Sequence, residues 1–135
     1  MSLTIYRKSH FNAAHRLYRK EWSDEKNLAV FGKCSNPNFH GHNYELEVGI
    51  TGNIDPETGF IINLDLLKKI IFEEIEEYFD HKNLNVEIPE FKNVNPTVEN
   101  IAVVIWNRLR AKLDSKFELS VKLFETPRNF VVYNG

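Results

Sequence analysis

His40-Gly41-His42-Asn43-Tyr44-Glu45-Leu46-Glu47-Val48-Gly49-Ile50-Thr51 is the stretch on which the fold turns. Successive side chains of a β-strand point to opposite faces. One parity therefore collects His40, His42, Tyr44, Leu46, Val48 and Ile50, and the other collects Gly41, Asn43, Glu45, Glu47, Gly49 and Thr51. Such alternation predicts a half-buried strand whose sheet is covered on one side and polar on the other. The covered face begins with two histidines, close enough in phase to reach one ion.

Working outward, Thr4 to Leu17 reads as a strand in which Phe11, Ala13 and His15 share a parity, leaving His15 near its end. The polar stretch from Tyr18 to Lys33 holds a short-helix start at Ser23-Asp24-Glu25-Lys26 and is expected to loop over the site. Asp55-Pro56-Glu57-Thr58-Gly59 is turn chemistry and predicts an antiparallel hairpin to Phe60-Ile61-Ile62. Asn63 or Asp65 can cap a helix with Leu64, Leu67, Ile71, Ile75 and Tyr78 on one face, ending at Phe79-Asp80-His81. Thr97 caps a second, with Val98, Ile101, Ile105 and Leu109 inward and Trp106 in the core. Strands at Phe117–Glu125 and Phe130–Tyr133 complete the order β-β-α-α-β-β. The expectation is an α+β fold: a four-stranded antiparallel sheet with two helices on one face, as one domain over residues 1–135. Long sheet edges left unpaired are a liability in a monomer, so a homo-oligomer that closes them is expected.

With 42% apolar residues and 135 positions, the chain has the size and hydrophobicity of one core-forming domain. Acids and bases are interspersed at a net charge of −2, without a basic stripe for nucleic acid. No apolar run approaches the roughly 20 residues of a membrane span, and no signal-like segment opens the chain. A cytoplasmic protein with no membrane or nucleic-acid partner is the expectation. One cysteine, Cys34, makes no intrachain disulfide and is inert or kept for chemistry. Met1-Ser2-Leu3 is compatible with a cloning remnant.

The chemistry-bearing residues are His15, Cys34, His40, His42 and the dipeptide Asp80-His81. Three neutral imidazoles with a vacant fourth position describe a catalytic zinc site, with His15 as third ligand. The helical His-Glu-x-x-His pattern of metalloproteases is absent. A zinc ion polarising hydroxyls or a carbonyl on adjacent carbons, beside a thiolate that takes protons from carbon, performs lyase or isomerase chemistry. The thiol has an unperturbed pKa of about 8.5 and needs a cation or imidazolium nearby. Asp80 could orient His81 for that purpose. Other readings stand beside these. His-x-His pairs occur without metal, and Asp80-His81-Lys82-Asn83 is ordinary helix-exit composition. Thr97 and Glu99 suit an N-cap and first-turn acid, and Glu125, next in phase after Leu119, Val121 and Leu123, suits a strand emerging into solvent.

Six segments nevertheless occur in a familiar order: Phe11-Asn-Ala-Ala-His15-Arg, Gly32-Lys-Cys34, His40-Gly-His42-Asn-Tyr, Asp80-His-Lys-Asn-Leu84, Pro96-Thr-Val-Glu-Asn100 and Glu125-Thr-Pro. From about His10 to Gly135 the chain resembles the 6-pyruvoyltetrahydropterin synthase family. The resemblance implies the tunnelling fold, in which three subunits close an antiparallel barrel and two trimers stack into a hexamer. It implies zinc on His15, His40 and His42, Cys34 as proton acceptor, and Asp80 and His81 as a relay from an adjacent subunit. Glu125 is implied to anchor the pterin and to join the charge relay, with Thr97 and Glu99 helping. The implied reaction takes 7,8-dihydroneopterin triphosphate to 6-pyruvoyltetrahydropterin with loss of triphosphate. The related 6-carboxytetrahydropterin synthases of queuosine biosynthesis use the same substrate and release acetaldehyde. Their cysteine commonly lies closer to His-Gly-His than the five-residue spacer between Cys34 and His40 here. A non-catalytic zinc- or pterin-binding oligomer is a third reading, disfavoured by the intact Cys34, Asp80, His81 and Glu125. Phe39 departs from the family, whose members commonly carry glycine there. Arg16, Lys33, Lys82, Lys122 and Arg128 are candidates for the triphosphate on charge alone.

Overall fold

The computed structural model describes residues 2–135, so Met1 of the proposed remnant lies outside the described residues. In chain order it comprises β1 (Ser2–His15), α1 (Asp24–Phe31) and β2 (His40–Asn53), then α2 (Leu64–Ile71) and α3 (Glu77–Phe79). The remainder is β3 (Lys82–Asn83), α4 (Leu84–Glu87), α5 (Val98–Arg110), β4 (Glu118–Phe124) and β5 (Phe130–Tyr133). The sheet runs β3-β1-β2-β4-β5. Its four long strands pair antiparallel as the alternation demands. The fifth, β3, was not expected: two residues pair parallel to β1 at Ala13 and Ala14. A two-residue polar strand carries no periodicity to read.

The inward face of β1, β2 and β4 holds Phe11, Ala13, Tyr44, Leu46, Val48, Ile50, Leu119, Val121 and Leu123, all buried. Against it pack Leu67, Ile71, Ile75 and Phe79, and Ile101, Ile105 and Leu109 of α5. Removal of this apolar surface from water is the main favourable contribution to folding. Phe11 sits at the centre, its ring 5.0 Å from Tyr44 and 5.4 Å from Phe79. Trp106 is only partly buried at the margin, where its indole N–H donates to Leu119 O at 2.9 Å. Asn63 caps α2 through the N–H groups of Asp65 and Leu66, and Thr97 caps α5 through that of Asn100.

Three local expectations are corrected. The hairpin to Phe60-Ile61-Ile62 does not form, because the turn closes on itself: Asp55 O accepts from Gly59 N and Asp55 N donates to Phe60 O, both at 2.8 Å. Asn63 then caps α2 before a ladder could start. The helix read through to Phe79 is interrupted by a π-helical turn at Phe72–Glu76, and Leu64, assigned to its inward face, is exposed. Finally, the segment expected to loop over the site does carry the helix that Ser23-Asp24-Glu25-Lys26 announces, and the loop reading gives way to it. The segment folds as α1, capped by Ser23, and a tight 3₁₀ turn over Gly32–Ser35. No described helix is long and apolar enough to cross a membrane.

Candidate metal and catalytic site

The β1–β2 register sets His15 directly opposite His40 and Ala13 opposite His42. Strand alternation then puts all three imidazoles on one face at the end of the core. Ring centroids lie 4.6 Å apart for His15–His40 and 5.0 Å for each of the other two pairs. One nitrogen from each comes within 4.8 Å of the others. Beneath them Tyr44 is fully buried, with its phenol pushed above its ordinary pKa by burial.

His15 defines the state of the cluster. Its Nδ1 lies 2.7 Å from Pro96 O, a carbonyl that can only accept, so Nδ1 carries the hydrogen and Nε2 presents a lone pair. Burial lowers its pKa from 6.5 to about 4, which keeps the ring neutral near pH 7. Burial and the neighbouring His42 also lower that of His40. His15 Nε2, both ring nitrogens of His40 and His42 Nε2 are buried without a hydrogen-bond partner. Unpaired buried polar atoms are costly, and four on three converging imidazoles fit a metal ion. Nδ1 anchored to a backbone carbonyl is also how metal-bound histidines are commonly oriented.

Cys34 sits on the 3₁₀ turn that follows α1. Gly32 ends the helix at φ +58 and ψ −135, a conformation side chains disfavour, and donates its N–H to Leu28 O. Leu17 N–H donates to Cys34 O at 2.8 Å, tying the turn to the chain beyond His15. Half-buried Cys34 and His40 line one cavity of about 860 Å³, walled also by Leu28, Pro37 and Phe39. Phe39 adopts φ +66, a backbone conformation that favours glycine.

Asp80 and His81 lie elsewhere in the same chain. Asn12, on the outward parity of β1, grips them with both backbone groups: its N–H donates to Asp80 Oδ1 at 2.8 Å and its C=O accepts from His81 N–H at 2.6 Å. The Asn12 N–H holds the Asp80 carboxyl below its usual range. Asp80 Oδ2 is 2.8 Å from His81 Nδ1, which fixes that hydrogen and leaves Nε2 free on an exposed ring. His81 sits at φ +60 and lines a separate cavity with His42, Asn83 and Glu87. The chain therefore brings Cys34 and His40 to one cavity without placing Asp80-His81 in it.

Glu125 is brought to the cluster, its Oε2 3.9 Å from His15 Nε2, beyond hydrogen-bond distance. Among the described residues no donor meets its carboxylate. Thr97 follows Pro96 directly and so adjoins His15, but its hydroxyl oxygen is occupied as the α5 cap at 3.2 Å from Asn100 N. Glu99 is exposed in the first turn.

Two contributors carried no sequence signal. One is the Pro96 carbonyl, since a backbone acceptor has no residue type. The other is Asn85, whose side-chain amide accepts from Arg16 N–H and donates to Arg16 O, both at 2.8 Å, and so clamps the chain just past His15.

The sequence model of the family described as 6-pyruvoyl tetrahydropterin synthase matches residues 4–135. The 6-pyruvoyl tetrahydrobiopterin synthase of Pongo abelii is 51% identical over 131 residues, covering 97% of this chain and 90% of that one. Its Homo sapiens counterpart is 50% identical over the same length and coverage. The solved structure of Caenorhabditis elegans 6-pyruvoyl tetrahydropterin synthase superposes with a TM-score of 0.94 at 36% identity, covering 100% of this chain and 96% of that one. Half of all positions shared across nearly the whole length, on one backbone, leaves a single assignment: the chain is an enzyme of the 6-pyruvoyl tetrahydropterin synthase family.

Proposed function

We propose that this enzyme is a zinc-dependent lyase that converts 7,8-dihydroneopterin triphosphate to 6-pyruvoyltetrahydropterin and triphosphate. The observation that carries the reading is the cluster of three converging imidazoles with orphaned nitrogens, sharing a cavity wall with the only thiol. His15, His40 and His42 would hold the zinc. When bound, zinc supplies Lewis acidity toward the hydroxyls of the substrate side chain.

The remaining work falls to the protein. Glu125, without a donor of its own, would accept the ring N–H and amino group of the pterin, with Thr97 and Glu99 helping from the start of α5. Cys34 as thiolate would take a proton from a side-chain carbon. Protons relocate between side chain and ring, and the triphosphate leaves with its bonding electron pair. His81, with Nδ1–H held by Asp80, presents a free Nε2 that suits a relay to the thiol.

One chain keeps that relay in a separate cavity, and β3 and β5 are open edges of the sheet. Both features support a homo-oligomer, read here as a hexamer of two stacked trimers, in which Asp80 and His81 reach Cys34 of a neighbour. Residues 1–135 are read as one domain, and the lone thiol fits the reducing cytoplasm.

Zinc-loaded protein incubated with dihydroneopterin triphosphate provides the test, with pterins followed by mass and volatile aldehyde trapped. The expected outcome is 6-pyruvoyltetrahydropterin and triphosphate without aldehyde. Stoichiometric acetaldehyde with a carboxypterin would overturn the product assignment, and absence of turnover would overturn the enzymatic role of the site.

A further inference from the structure

Of the three half-buried arginines, two have their guanidinium ends occupied. Arg108 meets Glu74 and Glu90 at 3.0 and 3.4 Å, and Arg110 donates to the carbonyls of Leu113, Asp114 and Phe117. Arg16 is different. Its Nε donates to Ser35 O at 2.8 Å and its guanidinium carbon lies 3.8 Å from the centre of the Tyr18 ring. Both contacts hold the plane of the group in place, and the Asn85 clamp fixes the backbone beneath it. Among the described residues neither terminal nitrogen has a hydrogen-bond or ion-pair partner.

Arg16 lines the cavity of Cys34 and His40, and Lys33 lines it too, likewise without an ion pair among the described residues. Asp24 is the one acid on that wall. A guanidinium fixed in orientation, with its outer edge free, is preorganised for a bidentate hydrogen-bonded grip on phosphate oxygens. A salt bridge that already satisfied it would compete with such a ligand.

We propose that Arg16, assisted by Lys33, forms the subsite for the triphosphate of the substrate, at the opposite end from the pterin held by Glu125. The subsite rests on the substrate reading above. Because Arg16 follows His15 directly and its Nε bonds the residue after Cys34, the same side chain relates the phosphate end of the substrate to both metal cluster and base.

The probe is inorganic tripolyphosphate, whose binding is measured calorimetrically without turnover. Arg16→Gln is expected to weaken it on the order of 10- to 100-fold, and Lys33→Gln several-fold. Affinity for 7,8-dihydroneopterin, which lacks phosphates, stays within about twofold in the Lys33→Gln variant, which breaks no hydrogen bond of the turn. Unchanged tripolyphosphate affinity in both variants overturns the proposal. So does loss in Lys92→Gln instead, since Lys92 lines a different cavity with Tyr18 and Lys20. Equal losses for tripolyphosphate and dihydroneopterin in Lys33→Gln also overturn it, by reducing the effect to distortion of the turn. If the wild-type protein binds tripolyphosphate through Arg16 but does not turn over the pterin triphosphate, the subsite stands and the lyase reading fails.

Discussion

The ring of His15 is 1% exposed and already spends Nδ1–H on Pro96, so protonating it places a poorly solvated charge inside the fold, faced only by Glu125 Oε2 at 3.9 Å. Its folded pKa of about 4 lies below the ordinary 6.5, so the unfolded chain takes up the proton first. Stability from this group is therefore complete above pH 6.5 and lost as pH falls toward 4. Denaturant melts of metal-free protein should show a loss on the order of 3 kcal/mol across that window. A His15→Asn variant should be less sensitive, and an identical slope would contradict the assignment. Metal content separates the other roles. The His40→Ala/His42→Ala protein should retain its fold and lose zinc, whereas Cys34→Ala should keep zinc and lose about 10² to 10⁴ in rate. Phe39 is held at φ +66, where an L-residue costs roughly 1 kcal/mol more than glycine. Phe39→Gly should therefore melt later than Phe39→Ala, although both lose the same ring; the reverse order would show that the backbone there is not strained.

At the level of elements, the long strands were legible because one residue in two is apolar along β2 and β4, and α5 because Thr97 precedes a four-residue apolar repeat. The histidine cluster was legible for the same reason: parity fixes which histidines share a face. What stayed hidden has little or no side-chain pattern. The strand β3 has two residues, the Pro96 carbonyl is backbone, and the Asp55 turn closes through its own hydrogen bonds rather than through strand pairing. The π-helical turn at Phe72–Glu76 keeps Ile75 and Phe79 inward, so its apolar spacing resembles that of a regular helix. The α1 exit is the element on which Cys34 depends. Gly32→Ala imposes a Cβ at φ +58 and is expected to lower turnover at least tenfold while leaving zinc content intact. Lost zinc in that variant would show that the turn supports the cluster as well.

Across the whole molecule, the candidate site residues divide in two: His15, His40, His42, Cys34 and Glu125 gather at one end of the covered face, whereas Asp80 and His81 are fastened to the outward parity of β1. In the proposed closed oligomer, one subunit would supply the base and the next its relay, which would reconcile the two halves. The most direct measurement mixes two single variants, Cys34→Ala and His81→Ala, each expected to be nearly inactive and to assemble normally. After dissociation and reassembly in equal amounts, random assortment gives about a quarter of sites an intact cysteine and an intact histidine from different chains. The expected result is recovery of roughly that fraction of wild-type turnover, reached only in the reassembled mixture. Mixed oligomers, verified by mass, that stay as inactive as either parent would contradict a site shared between subunits.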